Sequence, residues 1–261
     1  MKRFFVSSVA FCALMTHAMA ADMFVKAAPP APAWSWTGLY VGGNVGYAWG
    51  DTTNPAISFV DPGTIGFAPY FNAGGNVFQA LNQGGFVGGG QVGYDWQFSQ
   101  WVIGVVADYQ GANVTDSKSA SITPPGFVTT TQLLSAKIDS LGTVRGRLGA
   151  TAYNVLFYGT GGLAYGHVES SIGFFAPSSP LFFSGTTTSQ NKTGWVAGLG
   201  VSYALTQNWN VGVEWLHYDL GSSTVTGITV APGSIVPGAS ISASQSFSGD
   251  LVRANVNFKF W

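Results

Sequence analysis

The chain has 261 residues, of which 46% are hydrophobic and 8% charged, with 36 glycines and a formal net charge of −1. Disordered chains combine low hydrophobicity with high net charge, and this chain has neither; its near-neutral balance also leaves no basic footprint for nucleic acid. Outside the first twenty residues no apolar run reaches the length of a spanning helix, so its hydrophobicity must be carried in short alternating segments.

Residues 1–20 hold Lys2 and Arg3, an apolar stretch and Ala18-Met19-Ala20, the layout of a cleaved secretory signal. The single cysteine, Cys12, falls inside that signal, so the exported chain is expected to form no disulfide and no thiolate metal site. Residues 21–35, rich in proline and alanine, read as a periplasmic leader. Residues 36–261 remain for the folded domain.

Residues 34–50 open the alternation. Leu39, Val41, Val45, Tyr47 and Trp49 share one face, and Tyr40, Asn44 and Ala48 share the other with glycines, which predicts a strand between an apolar surrounding and a filled interior. Residues 51–83, with Pro55, Pro62 and Pro69, keep no period and read as a long loop. The next predicted strand, 86–98, repeats G-x-V-G-Y-x-W from the first and faces Gln91, Asp95 and Gln97 away from Val92, Tyr94 and Trp96. Ser99-Gln100 then forces a hairpin into a third strand, 101–113, carrying Asp108 on its polar face.

A second long loop, through Pro124-Pro125-Gly126, leads to a fourth strand over about 138–150, where Asp139, Thr143, Arg145 and Arg147 alternate with Ser140, Val144 and Leu148. A short link at 151–154 precedes a fifth strand, 155–167. Its Gly159-Thr160-Gly161-Gly162-Leu163-Ala164 resembles a dinucleotide fingerprint, but the period of two persists and no helix follows, so a glycine-rich strand is the reading. The sixth strand, 193–205, turns at Thr206-Gln207-Asn208 into the seventh, 209–218, with Glu214 inward. A Ser/Thr/Gly-rich loop separates it from the last, about 247–261, where Arg253, Asn255, Asn257 and Lys259 oppose Val252, Val256, Phe258 and Phe260.

Eight strands with long connections after the odd ones and tight turns after the even ones predict an all-β, eight-stranded antiparallel up-and-down transmembrane barrel with both ends of the chain in the periplasm. Its charges sort accordingly: Asp95, Asp108, Asp139, Arg145, Arg147, Glu214, Arg253 and Lys259 fall on the polar faces and are expected to form an interior network. Asp250 is the exception, on the apolar side but near a loop. Neighbouring strands predict that Glu214 pairs with Arg253, and closure predicts that the first strand pairs with the last. Eight strands leave an interior that side chains can fill, which disfavours a broad pore.

The segment A-D-M-F-V-K-A-A-P-P-A-P-A-W-S-W-T-G-L-Y-V-G-G-N-V-G-Y-A-W-G, together with V-R-G-R-L-G, Y-G-T-G-G-L-A-Y-G and the aromatic C-terminus, resembles the alphaproteobacterial small outer-membrane proteins, a porin-family or outer-membrane-protein-A-like group of barrels. The resemblance implies an outer-membrane barrel in contact with outer-membrane lipid and supplies no shared catalytic residues to carry over; the chain is read as a barrel that contributes to envelope integrity and not as an enzyme. The resemblance also implies recognition by the β-barrel assembly machinery through Val256, Phe258, Phe260 and Trp261. Trp261 is one residue out of phase with Phe260, which reads as an extra interfacial residue or as a sign of a bulge.

No cofactor is expected, with one alternative. Some members of the resembled group are described as hemin-binding, which makes His167, near Glu169, and His217, near Asp219, candidate ligands for haem. A narrow channel for small solutes and a host-surface contact through the phenylalanine-bearing loops are the other functional alternatives. The sequence leaves the oligomeric state open.

Overall fold

The computed structural model describes residues 34–51, 56–60, 81, 83–123, 129–175, 185–228 and 240–260. Alternation along the chain produces nine antiparallel strands: β1 (Gly38–Gly50), β2 (Ala56–Val60), β3 (Gly84–Phe98), β4 (Trp101–Ile122), β5 (Thr130–Ala152), β6 (Val155–Phe175), β7 (Thr186–Ala204), β8 (Trp209–Ile228) and β9 (Ser240–Lys259). Each pairs with the next in the order β1-β3-β4-β5-β6-β7-β8-β9, and β9 pairs back onto β1, so eight strands close a ring. The seam is continuous from Tyr40 opposite Lys259 to Gly50 opposite Gly249. Over this lower span closure removes the sheet edges that would otherwise expose unpaired backbone groups; above it the β7–β8 ladder ends at Trp195 and Asp219 and the β3–β4 ladder at Gly84 and Thr115.

The register fixes the dimensions. Tyr40 leads through Gly93, Val106, Arg145, Gly162, Val196, Tyr218 and Gly249 back to Gly50, an offset of ten residues from Tyr40 to Gly50. For eight strands with usual spacings, that stagger gives a tilt of about 40° and a backbone radius of about 8 Å. Such a ring has room for side chains and little else.

The two-residue turns place their first residues, Ser99 and Tyr153, at φ 56° and 55°, as primed hairpin turns require. They lie at the lower rim with the turn before β8; the opposite strand ends, such as Gly50, Ile122, Phe175 and Ile228, form the upper rim.

Three expectations change. The first strand starts at Gly38, not at residue 34. Gly38 has φ 143°, which only glycine adopts readily, and there the chain turns from a short irregular segment into β1. Trp36 precedes that turn and is buried inside the lower mouth. The stretch read as one loop, 51–83, contains β2, which lies along Ser240 to Ser244 of β9 above the end of β1. Leu81, from the same stretch, is fully buried.

The largest change is strand length. β4 has 22 residues and β5 has 23, about twice the 9–11 that a tilted membrane strand needs. Along β4 the outward Trp101, Ile103, Val105 and Tyr109 are exposed apolar residues, whereas the outward Thr115, Ser117, Ser119 and Ser121 are exposed and polar. The upper interior reverses accordingly: Val114, Leu134, Ala136, Ile138, Val168, Ile172, Leu220 and Phe247 pack into one apolar cluster with Leu81.

Bulges mark the reversal. The β5–β6 ladder slips between Ile138 and Ser140, and the β8–β9 ladder slips between Asp219 and Ser222. In β8 the extra residue is Gly221, at φ 74°, whose N–H donates to Asp219 Oδ1 at 2.8 Å. The inward set on β8 moves from Leu216, Tyr218 and Leu220 to Ser223 and Val225 across it.

Candidate functional site

The lower interior is polar, and its charges meet across the lumen. Asp108 on β4, Arg145 on β5, Glu214 on β8 and Arg253 on β9 all point inward and are buried. Arg145 donates to Asp108 Oδ2 at 2.9 Å and to Glu214 Oε1 at 2.8 Å. Arg253 donates from Nη2 to Asp108 Oδ2 at 2.9 Å, and from Nε and Nη2 to Glu214 Oε2 at 2.9 and 2.7 Å. Two carboxylates and two guanidiniums thus form a closed, charge-neutral ring. Glu214 and Arg253 are direct ladder partners, which is why they meet.

Neighbouring groups fix the ring. Thr143 donates to Asp108 Oδ2 at 2.7 Å and accepts from Arg145 Nε at 2.8 Å. Buried ions held this way contribute little net stability relative to apolar packing, but removing one partner strands the others without solvent. A Cβ on Gly46 would run into Arg253, and one on Gly104 into the Asp95 carboxylate. At these two positions glycine makes room for large interior groups.

Below the ring, Arg147 makes an ion pair with Asp95 and lies 4.7 Å from the Tyr158 ring centre and 5.3 Å from that of Tyr40. On the seam side, Asn257 donates to Asn210 and Asn255 at 2.9 Å each and accepts from Gln91 at 2.6 Å. The lowest layer is a plug. Trp36 packs with Val102, Leu156, Tyr158 and Ala204, and Trp34 packs beside them, its ring centre 5.5 Å from that of Trp36. Gln97 accepts from the Trp36 N–H at 2.8 Å and its own N–H donates to Thr37 Oγ1 at 2.9 Å. Lys259 donates to the Ser35 carbonyl and sits 4.4 Å from the Trp34 ring centre.

Of the eight charges read as interior, Asp95, Asp108, Arg145, Arg147, Glu214 and Arg253 are brought together in two ion-paired groups, and Lys259 lies inward beside the plug. Asp139 is misassigned. It is the residue at the β5 bulge, so counting parity upward from Arg145 put it on the wrong face; it is partly exposed and pairs with Lys137. That hydrogen bond and the Asp139 charge hold the Lys137 ammonium above its ordinary range. The plug tryptophans went unrecognised because W-S-W continues the alternation of β1, and the signal that could have separated them was Gly38.

The two histidines lie on the outer face of different strands. His167 is hydrogen-bonded at both ring nitrogens, Nδ1 to Asn191 at 2.8 Å and Nε2 to Ser189 at 2.7 Å. The acid beside His217 is Asp250, its ladder partner, with Nδ1 and Oδ1 3.2 Å apart; Asp219 is engaged with Gly221 instead. Asp250 thus has its partner on the outer face. Phe260 donates its N–H to the Leu39 carbonyl at 3.0 Å, continuing a ladder regular from Gly249 through Lys259, which excludes a bulge in the described part of the last strand. Trp261 lies outside the described residues. Of the phenylalanines expected in the loops, Phe67, Phe71, Phe78, Phe182 and Phe183 also lie outside them, whereas Phe59 belongs to β2 and Phe174 and Phe175 to the end of β6.

Residues 9–260 match the family described as outer membrane protein beta-barrel domain. The chain belongs to that family. It is 35% identical, over the whole of both chains, to the 31 kDa outer-membrane immunogenic protein of Brucella melitensis. It is 31% identical to the 22 kDa outer membrane protein of Rhizobium leguminosarum bv. viciae, across 75% of this chain and 69% of that one. Among solved structures it is similar to the outer membrane protein OprG of Pseudomonas aeruginosa, with 13% identity and a TM-score of 0.44 over 87% of this chain and 98% of that one. This is an outer-membrane protein, and the exposed apolar belt from Trp101 to Tyr109 on β4 is its membrane-spanning zone.

Proposed function

We propose that this barrel is a closed, non-conducting element of the outer membrane that contributes to envelope integrity and presents its upper end at the cell surface. The observation that carries this reading is the ring of Asp108, Arg145, Glu214 and Arg253, which reaches across the lumen from four strands. The tryptophan plug supports it by filling the lower mouth. Outer-membrane lipid covers the apolar belt, and the end of β9, with Val256, Phe258 and Phe260 in phase, is the segment read by the barrel assembly machinery. The relatives named as immunogenic outer-membrane proteins support a surface-exposed upper end.

The test is single-channel recording of the refolded, purified chain in planar bilayers. The closed reading expects no discrete conductance steps at moderate voltage. Stable, reproducible steps would sink it and favour a narrow channel.

A further inference from the structure

The upper wall is unusual on its outer side. Soluble surfaces carry about 25–35% Lys, Arg, Asp and Glu, which keep a solvated sheet from associating. Above the belt, the outward positions of β4 are Asn113, Thr115, Ser117, Ser119 and Ser121, and those of β9 are serine at every even position from 240 to 248. The outward positions of β7 from 187 to 193 and of β8 from 222 to 226 are again only Ser, Thr and Asn.

Hydroxyls pair across strands: Ser121 with Thr131 at 2.9 Å, Thr226 with Ser242 at 3.1 Å and Thr224 with Ser244 at 3.3 Å. Among the described residues the exposed apolar interruptions are Leu133 and Val60. Outward charge is concentrated at the base of this wall, where Lys137 opposes Glu169 and His217 opposes Asp250.

We propose that this hydroxyl wall is a contact surface for the saccharide portion of the glycolipid surrounding the barrel in the outer leaflet. The wall continues the membrane-spanning belt upward on the same strands, so whatever follows the acyl chains and headgroups outward must lie against it. A hydroxyl-bearing face matches a layer of sugars: each Ser or Thr both donates and accepts, as sugar hydroxyls do, and the outward strand positions named above the charged base carry no fixed charge that has to be desolvated. Side chains recur every second residue along strands about 4.8 Å apart, which offers a dense two-dimensional array of such groups.

The inference rests on the outer-membrane location, not on whether the lumen conducts. The test uses the full exported chain, with spin labels at Ser119→Cys or Ser244→Cys and at Val105→Cys as a belt reference. Each variant is refolded into bilayers of phosphatidylcholine and phosphatidylglycerol, of lipid A, or of lipopolysaccharide bearing core sugars, and collision with a water-soluble nickel chelate is read by electron paramagnetic resonance. The expected result is a several-fold fall in collision at 119 and 244 in lipopolysaccharide only, with 105 protected in all three. Equal collision in phospholipid and lipopolysaccharide would overturn the proposal. Full protection by lipid A alone would assign the wall to phosphorylated headgroups and overturn the saccharide contact.

Discussion

The lower and upper halves of the wall are made from the same strands and obey opposite rules. Along the lower part of β4, Ile103 and Val105 face out while Asp108 faces in; along the upper part, Ser117 and Ser119 face out while Val114 faces in. A sheet sorts its faces by what lies on each side, and here the outer surroundings change partway up while the interior changes with them. The lower half surrounds ions that hold one another in place. The upper half is a mainly apolar core, with Gln132, Ser170, Ser223 and Gln245 buried among the aliphatic side chains.

The two interiors should therefore fail differently. The largest effect is expected from Arg253→Ala, which leaves Asp108 and Glu214 sharing Arg145 and should cost about 3–5 kcal/mol in urea unfolding of the refolded barrel. Adding Glu214→Gln should recover part of that loss, whereas additive losses would show that the two residues are uncoupled. In the upper half, Leu134→Ala should cost about 2–5 kcal/mol through lost packing, with no such rescue by a charge change. Gly221→Ala acts on the junction between the halves. A side chain at φ 74° should cost about 1–2 kcal/mol, and an unchanged unfolding midpoint would show that the bulge does not depend on that conformation.

The lower half was legible because its alternation is consistent: Val92, Tyr94 and Trp96 against Asp95, or Val252 and Val256 against Arg253, declare both faces. The seam between β1 and β9 follows from closure. The upper half has the sequence signature of loop for two physical reasons. Its outer face is Ser and Thr, so the alternation loses contrast with loop composition, and the bulges at Asp139 and Gly221 interrupt the period partway along β5 and β8.

The same interruption explains why parity misplaces Asp139. The partner of His217 follows from the register instead: Asp250 stands opposite it in the same unbroken run that pairs Glu214 with Arg253, below the slip. β2 is five residues long in a proline-bearing stretch and is held by its pairing with β9, which no local pattern records. The tryptophan plug has the opposite cause, a pattern that continued past the end of the strand.

The reversal of the wall is tested most directly on its outer face, by one measurement made twice on β4. Unfolding free energies of Val105→Lys and Ser117→Lys should be compared in the same lipid bilayer. Both side chains point outward, at positions twelve residues apart on one strand. A lysine at 105 should cost about 2–4 kcal/mol because it enters the hydrocarbon layer. At 117 it should change stability by no more than about 0.5 kcal/mol, as at an ordinary surface position. Equal costs at the two positions would contradict the account, since they would place both halves of the strand in the same surroundings.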